Sequence, residues 1–164
     1  MEESLEQKVW WDYLEEDLQE LLRTSIHLNS KAKELGEGVH DFSFIVFPAA
    51  KAYEGFLKKL FLDMGFISKE EYSGKSFRVG KALNPSLNRE RYKDESVYDK
   101  IVDFTGNTKL ADTLWETWKN SRNLVFHWFP DEKQALSSEE AKIRLQMILD
   151  AIDEAYKQKL AASR

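Results

Sequence analysis

The chain has 164 residues, 42% of them hydrophobic and including ten Phe, six Tyr and five Trp, which is enough apolar bulk for one domain with its own core and too much for a disordered chain. The absence of cysteine excludes a disulfide framework and a thiolate zinc site. The acidic first twenty residues, and the lack of any apolar run near the roughly 18 residues of a membrane span, lead us to expect a soluble, cytoplasmic protein with no membrane partner. The net charge of −5 argues against generic adhesion to nucleic acid.

Trp11, Leu14, Leu18, Leu21, Ser25, Leu28, Ala32 and Leu35 recur at alternating steps of three and four, which predicts a long first helix within residues 1–36 whose stripe packs into the core. Gly36 and Gly38 stop it. A second helix is expected from Asp41 to Met64, with Asp41 as N-cap, a kink at Pro48, and Ile45, Ala49, Tyr53, Phe56, Leu60 and Met64 as its buried face. Glu54 falls one position off that face, at the margin of the core, and Lys58 stands four residues on as an ion-pair partner. Between Gly65 and Ser96 no helical period persists; Gly74, Gly80, Asn84, Pro85 and Asn88 mark a long loop with a short strand around Phe77 to Val79.

That middle segment is where positive charge collects. Residues 69–93 hold seven bases (Lys69, Lys75, Arg78, Lys81, Arg89, Arg91, Lys93) against three acids, locally +4, whereas residues 1–22 hold eight acids against Lys8 alone. The basic segment reads either as a strip that tracks a polynucleotide backbone or as a solvated loop. Gly74-Lys75-Ser76 mimics the end of a phosphate-binding loop, but Lys69 stands where that loop needs its first glycine, so nucleotide binding is excluded.

A third helix is expected from Ser96 to Phe104, broken at Gly106-Asn107, and a fourth from Thr108 through Leu110, Leu114, Trp118, Ser121 and Val125. Ser137 and Glu140 form a capping-box pair that opens a last helix burying Leu145, Ile148, Ile152 and Tyr156. The sum is an all-α bundle of about five helices in one domain over 1–164, with a long basic loop between the second and third.

The fourth helix ends in Arg122-Asn123-Leu124-Val125-Phe126-His127, followed by Pro130. An imidazole has the pKa to take a proton from an RNA 2′-hydroxyl and return one to the leaving oxygen, and a guanidinium can hold phosphate oxygens through paired hydrogen bonds while negative charge builds. Five residues along a straight helix turn the side chain by about 500°, which would separate Arg122 and His127. Pro130 predicts that the helix ends near Trp128 or Phe129, leaving His127 in a last turn that can bend toward Arg122. Trp115, Trp118 and Arg122 share one flank, and Trp128 and Phe129 adjoin His127; such rings serve as core, as a dimer contact or as a stacking surface for bases. His27 has no partners arranged around it in sequence, His40 belongs to the entry turn of the second helix, and no histidine pair has zinc spacing, so no metal and no cofactor is expected.

An arginine, a polar residue and a histidine near a helix end in a small all-helical domain resemble the HEPN superfamily of ribonucleases, whose signature is arginine, four to six residues, histidine. More closely, the run from Pro48 to Phe61, the Gly74-Lys75-Ser76-Phe77 stretch and then the motif look like the C-terminal toxic domain of the RNase LS toxin family, over roughly residues 40–160. The additional N-terminal domains of those toxins have no counterpart in these residues. The resemblance implies a HEPN-like bundle acting as a metal-independent endoribonuclease, the toxin of a toxin–antitoxin or phage-defence system, with RNA as substrate, a homodimeric cleft and a protein antitoxin. Its catalytic residues would be His127, Arg122 and Glu54, the last at the position of the family's functional glutamate. Asn123, Lys58, Lys75 and Arg78 are the candidate substrate-binding residues. Two alternatives stand beside it: a HEPN-like module without catalysis that dimerises or binds a regulator, and a helical protein in which Arg122 packs along Trp118 while His127 caps a helix.

Overall fold

The computed structural model describes residues 4–87, 89–128, 130 and 135–162, and every regular element among them is helical. In chain order these are α1 (Glu16–Lys31), α2 (Ser43–Asp63), α3 (Lys69–Ser73), α4 (Val79–Ala82), α5 (Arg89–Tyr92), α6 (Val97–Thr105), α7 (Lys109–Trp118), α8 (Leu124–Phe126) and α9 (Ser138–Ala162), with a π turn at Lys119–Asn123 joining α7 to α8. Helices of nine or more residues among them are α1, α2, α6, α7 and α9.

The central element is α2. Besides Ile45, Ala49, Tyr53, Phe56 and Leu60, it buries Val46, Pro48, Ala50, Ala52, Leu57 and Phe61, so its apolar face spans more than half its circumference and packs against α1, α9, α3 and α4. A helix with so wide an apolar face sits at the centre of a bundle and leaves only a narrow charged stripe to solvent. Each such Leu, Ile or Phe removed from water contributes about 1.5–3 kcal/mol before chain entropy is subtracted. Gly55 lies beneath Leu18 of α1, where a Cβ would stand 2.6 Å from a methyl and the leucine would have to turn aside. Tyr53 donates its hydroxyl to the Leu114 carbonyl at 3.1 Å, tying α2 to α7, and burial pushes its phenol well above the usual range. Tyr98 likewise donates to Asp112 at 2.6 Å, tying α6 to α7.

Four expectations are corrected. The long first helix starts at Glu16, because Leu14 and Glu15 are extended (ψ 143° and 151°) and Trp11–Tyr13 is a separate 3-10 turn. Trp11 and Leu14 are buried as the stripe requires, but through tertiary packing rather than one continuous helix, and Leu35 at its far end is exposed. Asp41 caps α2 from one residue further out, accepting from the Ser43 amide at 3.0 Å and its hydroxyl at 2.6 Å, and it also accepts from the Leu136 amide at 3.0 Å. The segment after Gly65 is not a long loop. It winds into α3, capped by a reciprocal Ser68–Glu71 pair, then α4 and α5, and the strand expected around Phe77 to Val79 is replaced by the start of α4. Asn88 lies outside the described residues. Last, the fourth helix does not run unbroken into the motif: it leaves α-geometry at Lys119.

The last helix begins as expected. The Ser137 amide donates to Glu140 at 2.8 Å and the Glu140 amide to the Ser137 hydroxyl at 3.2 Å, and α9 then buries Leu145, Ile148 and Ile152. The third ends on Gly106, whose φ of 74° is left-handed, a conformation that costs glycine little.

Candidate functional site

The chain of α7, π turn and α8 runs antiparallel to α2. Trp118 meets Tyr53, with ring centroids 6.5 Å apart, and Phe126 meets Phe47 edge-on at 5.2 Å, so advancing along one element retreats along the other. Arg122 lies midway between Trp118 and Phe126, which sets it across from the turn of α2 that carries Ala50 and Lys51. On α2 itself, Phe47, Lys51, Glu54 and Lys58 follow at steps of four, three and four and therefore share one stripe. The catalytic candidates thus sit on two adjoining elements.

The π turn is defined by the Leu124 amide, which donates to the Lys119 carbonyl five residues back rather than four. Its Ser121 is buried and donates to the Arg144 carbonyl of α9 at 3.4 Å, so the turn is wedged between α2 and α9. Directly after α8, His127 has φ −113° and ψ 143°, extended backbone. The helix therefore ends at Phe126, not at Trp128 or Phe129, and the angular separation computed for a straight helix does not apply. His127 and Trp128 are exposed, Trp128 at 76%; Phe129 lies outside the described residues.

Arg122 is half-buried. Its guanidinium carbon lies over the Trp118 ring, 5.2 Å from the centroid, and among the described residues it makes no hydrogen bond or ion pair. The ring braces the cation from one side and leaves its N–H donors uncommitted. Trp118 is 3% exposed, which removes it from the possible base-stacking surfaces; Trp115 is half-buried against the core. Trp118 is pinned by α4, because its indole nitrogen abuts Gly80, where a Cβ would stand 2.5 Å away.

Glu54 is partly exposed and its carboxylate lies 3.8 Å from Lys58 Nζ. Among the described residues no hydrogen bond or ion pair joins Glu54 to Arg122 or His127. Lys58, partly buried, is held by that same pair. Asn123 is half-buried within the π turn. Lys75 and Arg78 are exposed on the segment around α4, Arg78 beside a cleft of about 210 Å³ that it lines with Ser76, Phe77 and Glu71. Lys81, by contrast, is paired with Glu95 at 2.5 Å and stacked over Tyr92 at 3.9 Å, so part of the basic segment neutralises itself.

Sequence reasoning missed Phe47, Lys51 and Arg144. Lys51 Nζ lies 6.0 Å from the Phe47 ring centroid, and neither Lys51 nor Arg144 has a carboxylate partner among the described residues. The signal was available on α2, since both residues stand on the Glu54 stripe. Arg144 carried none, because its carbonyl meets Ser121 of the π turn from 23 residues away in sequence. Among the described residues no group of three or more His, Asp or Glu is placed to hold a metal ion, and no helix is long and apolar enough to cross a membrane. No protein-family model, curated protein or solved structure matches this chain.

Proposed function

We propose that this chain is a metal-independent endoribonuclease of HEPN type, acting as the toxin of a toxin–antitoxin or phage-defence system. The observation that carries the reading is Arg122: a half-buried guanidinium braced on Trp118, with no acid partner among the described residues, five positions before an exposed histidine on extended backbone. A permanently charged fork whose donors are uncommitted suits a phosphate passing to a pentavalent transition state. In this reading His127 exchanges the proton of the 2′-hydroxyl, Arg122 stabilises the developing charge, Asn123 orients the phosphate and Glu54 positions the pair once Lys58 turns to the substrate. RNA is cut to a 2′,3′-cyclic phosphate and a 5′-hydroxyl: the 2′-oxygen bonds to phosphorus, the bond to the 5′-oxygen breaks, and the proton taken from the former goes to the latter. Lys75 and Arg78 extend the phosphate track, a second copy completes the cleft, and a protein antitoxin restrains the activity in the cytoplasm.

The Glu54–Lys58 pair and the stacking of Arg122 on Trp118 also favour a second reading, a helical module in which these groups serve packing and regulator binding. One experiment separates the two. Purified protein is incubated with total RNA in the presence of chelator, and the ends of the fragments are analysed. Cyclic phosphate ends that vanish in His127→Ala and Arg122→Lys support the ribonuclease; RNA left intact by the parent, or cut equally by His127→Ala, favours the module.

A further inference from the structure

A cavity of about 780 Å³ lies between α1 and α9, and none of the motif residues lines it. Both helices pack on α2, which fixes their directions. α2 and α9 run parallel: the Phe42 amide donates to the Leu136 carbonyl at 2.9 Å just before the two begin, and Tyr13 meets both Phe56 and Tyr156 further along. α1 runs the other way, since its Ser25 meets Ala49 and its Leu18 lies over Gly55. The cavity is therefore a groove between antiparallel helices, and it follows α9 from Ser138 to Asp153, about 22 Å or about four helical turns.

The floor of the groove is apolar. Leu145 and Ala32 are buried there, Leu5 and Leu149 are half-buried, and Ile26, one position off the buried stripe of α1, is 38% exposed. A lone exposed isoleucine needs no explanation, but this one shares its cavity with four other apolar side chains. Charge is uneven along the groove. Because the helices are antiparallel, Lys33 and Lys142 stand at the same end, where α9 begins; both are exposed and neither has an acid partner among the described residues. Glu139, which lines that end too, sits in the first turn of α9, where the helix dipole answers it. At the far end the acids are engaged: Asp150 accepts from Gln146 at 2.8 Å and Asp153 pairs with Lys157 at 2.5 Å.

We infer that this groove receives an amphipathic helix of a partner protein, about four turns long, with apolar residues at steps of three and four and its acidic residues toward Lys33 and Lys142. Such a helix lies lengthwise over α1 and α9, its apolar stripe on Ile26, Leu145 and Leu149. Its carboxylates complement the two lysines at the rim and set which way round it lies. A fatty acyl chain fits less well, because Asn29, Ser30 and Gln146 also line the groove and a hydrocarbon would leave their polar groups unbonded. A polynucleotide is opposed by Glu139, Asp150 and Asp153 along the α9 wall.

The test is fluorescence anisotropy of two labelled helical peptides of about 16 residues, titrated with the full chain. Both carry leucines at steps of three and four; one has glutamates on its flanks, the other lysines at the same places. The acidic peptide is expected to bind saturably and at least about tenfold tighter than the basic one. Ile26→Asp, which puts a charge where the apolar stripe docks, is expected to weaken the acidic peptide about tenfold or more. Lys33→Glu combined with Lys142→Glu is expected to keep Tm within about 2 °C of the parent and to reverse the preference, so that the basic peptide binds better. No saturable binding of the acidic peptide, equal affinity for the two peptides, parental affinity in Ile26→Asp, or a preference that survives the exchange of both lysines each overturns the assignment. Saturable binding of dodecanoate by a chain that takes neither peptide overturns it in favour of a lipid. None of these outcomes depends on whether the chain cuts RNA.

Discussion

The Ser25 hydroxyl of α1 accepts the backbone N–H of Ala49 in α2 at 2.8 Å, with both residues fully buried, one position past the proline inside α2. Pro48 has no N–H to close the bond toward Phe44, and its ring crowds that carbonyl, yet α2 runs on through it from Ser43 to Asp63. A small polar residue on the apolar stripe of α1 thus supplies an acceptor to the backbone next to the proline. Ser25→Ala therefore strips a buried amide of an acceptor and is expected to cost about 1–3 kcal/mol, lowering Tm by about 2–4 °C for each kcal/mol. In a Pro48→Ala background the cost shrinks, because a regular helix supplies the acceptor itself. Additive Tm losses in the double variant would show that the serine and the proline are independent.

Asp41 joins the start of α2 to the segment that returns from the motif, accepting from Ser43 and from the Leu136 amide. Burial pushes its carboxyl up, but the hydrogen bonds from Ser43 and Leu136 outweigh that and hold it below the ordinary range. A carboxyl whose pKa is lower folded than unfolded gives stability that is complete above the unfolded value, about 3.9, and is lost as pH falls through the folded value. Asp41→Asn is thus expected to melt below the parent at pH 7, with the gap closing as pH drops below about 4. Thermal melts across pH 2 to 7 check this, and a gap that stays constant over that range rules the mechanism out.

The fold and the site were unequally legible in the sequence. Period-3.6 stripes on α2 and the Ser137–Glu140 box located those helices because their signals are local. Phe77 to Val79 read as extended because those residues alternate in polarity, whereas Val79 opens α4, whose Gly80 lies against Trp118, a contact 38 residues away in sequence. The motif spacing was visible, but the π turn was not. No residue type in Lys119-Asn120-Ser121-Arg122-Asn123 encodes an amide reaching back five residues; the packing of Ser121 on Arg144 accompanies it. Hence the motif could be located in the sequence while the side its residues face could not.

The Glu54–Lys58 pair offers a way to separate structure from chemistry. An i,i+4 pair that is partly exposed is worth only a few tenths of a kcal/mol, so Glu54→Gln and Lys58→Gln are each expected to shift Tm by no more than about 2 °C. If Glu54 positions the catalytic pair, Glu54→Gln lowers kcat by at least about tenfold with KM nearly unchanged, while Lys58→Gln raises KM. Full activity in Glu54→Gln, at unchanged Tm, would assign the carboxylate to the helix surface alone.

Gly80 controls the platform on which Arg122 rests. In most helices Gly→Ala stabilises by about 0.5–1 kcal/mol through the unfolded chain. Here the added Cβ would lie 2.5 Å from the Trp118 indole nitrogen, and that ring, 3% exposed and packed on Tyr53, has nowhere to retreat. Overpacking costs about 1–3 kcal/mol and should win, so Gly80→Ala is expected to melt several degrees lower. Displacing the ring also displaces the guanidinium above it; if Arg122 holds the reacting phosphate, as proposed, a shift on the order of 1 Å there lowers kcat by up to about a hundredfold. Trp118→Phe supplies the control: its smaller ring clears the added methyl and removes an indole N–H that has no partner among the described residues. Combined with Gly80→Ala it should recover most of the lost Tm but only part of the activity, since phenylalanine braces a cation less well than tryptophan. Gly80→Ala melting at or above the parent would mean that the ring yields freely and that Arg122 is not held by it.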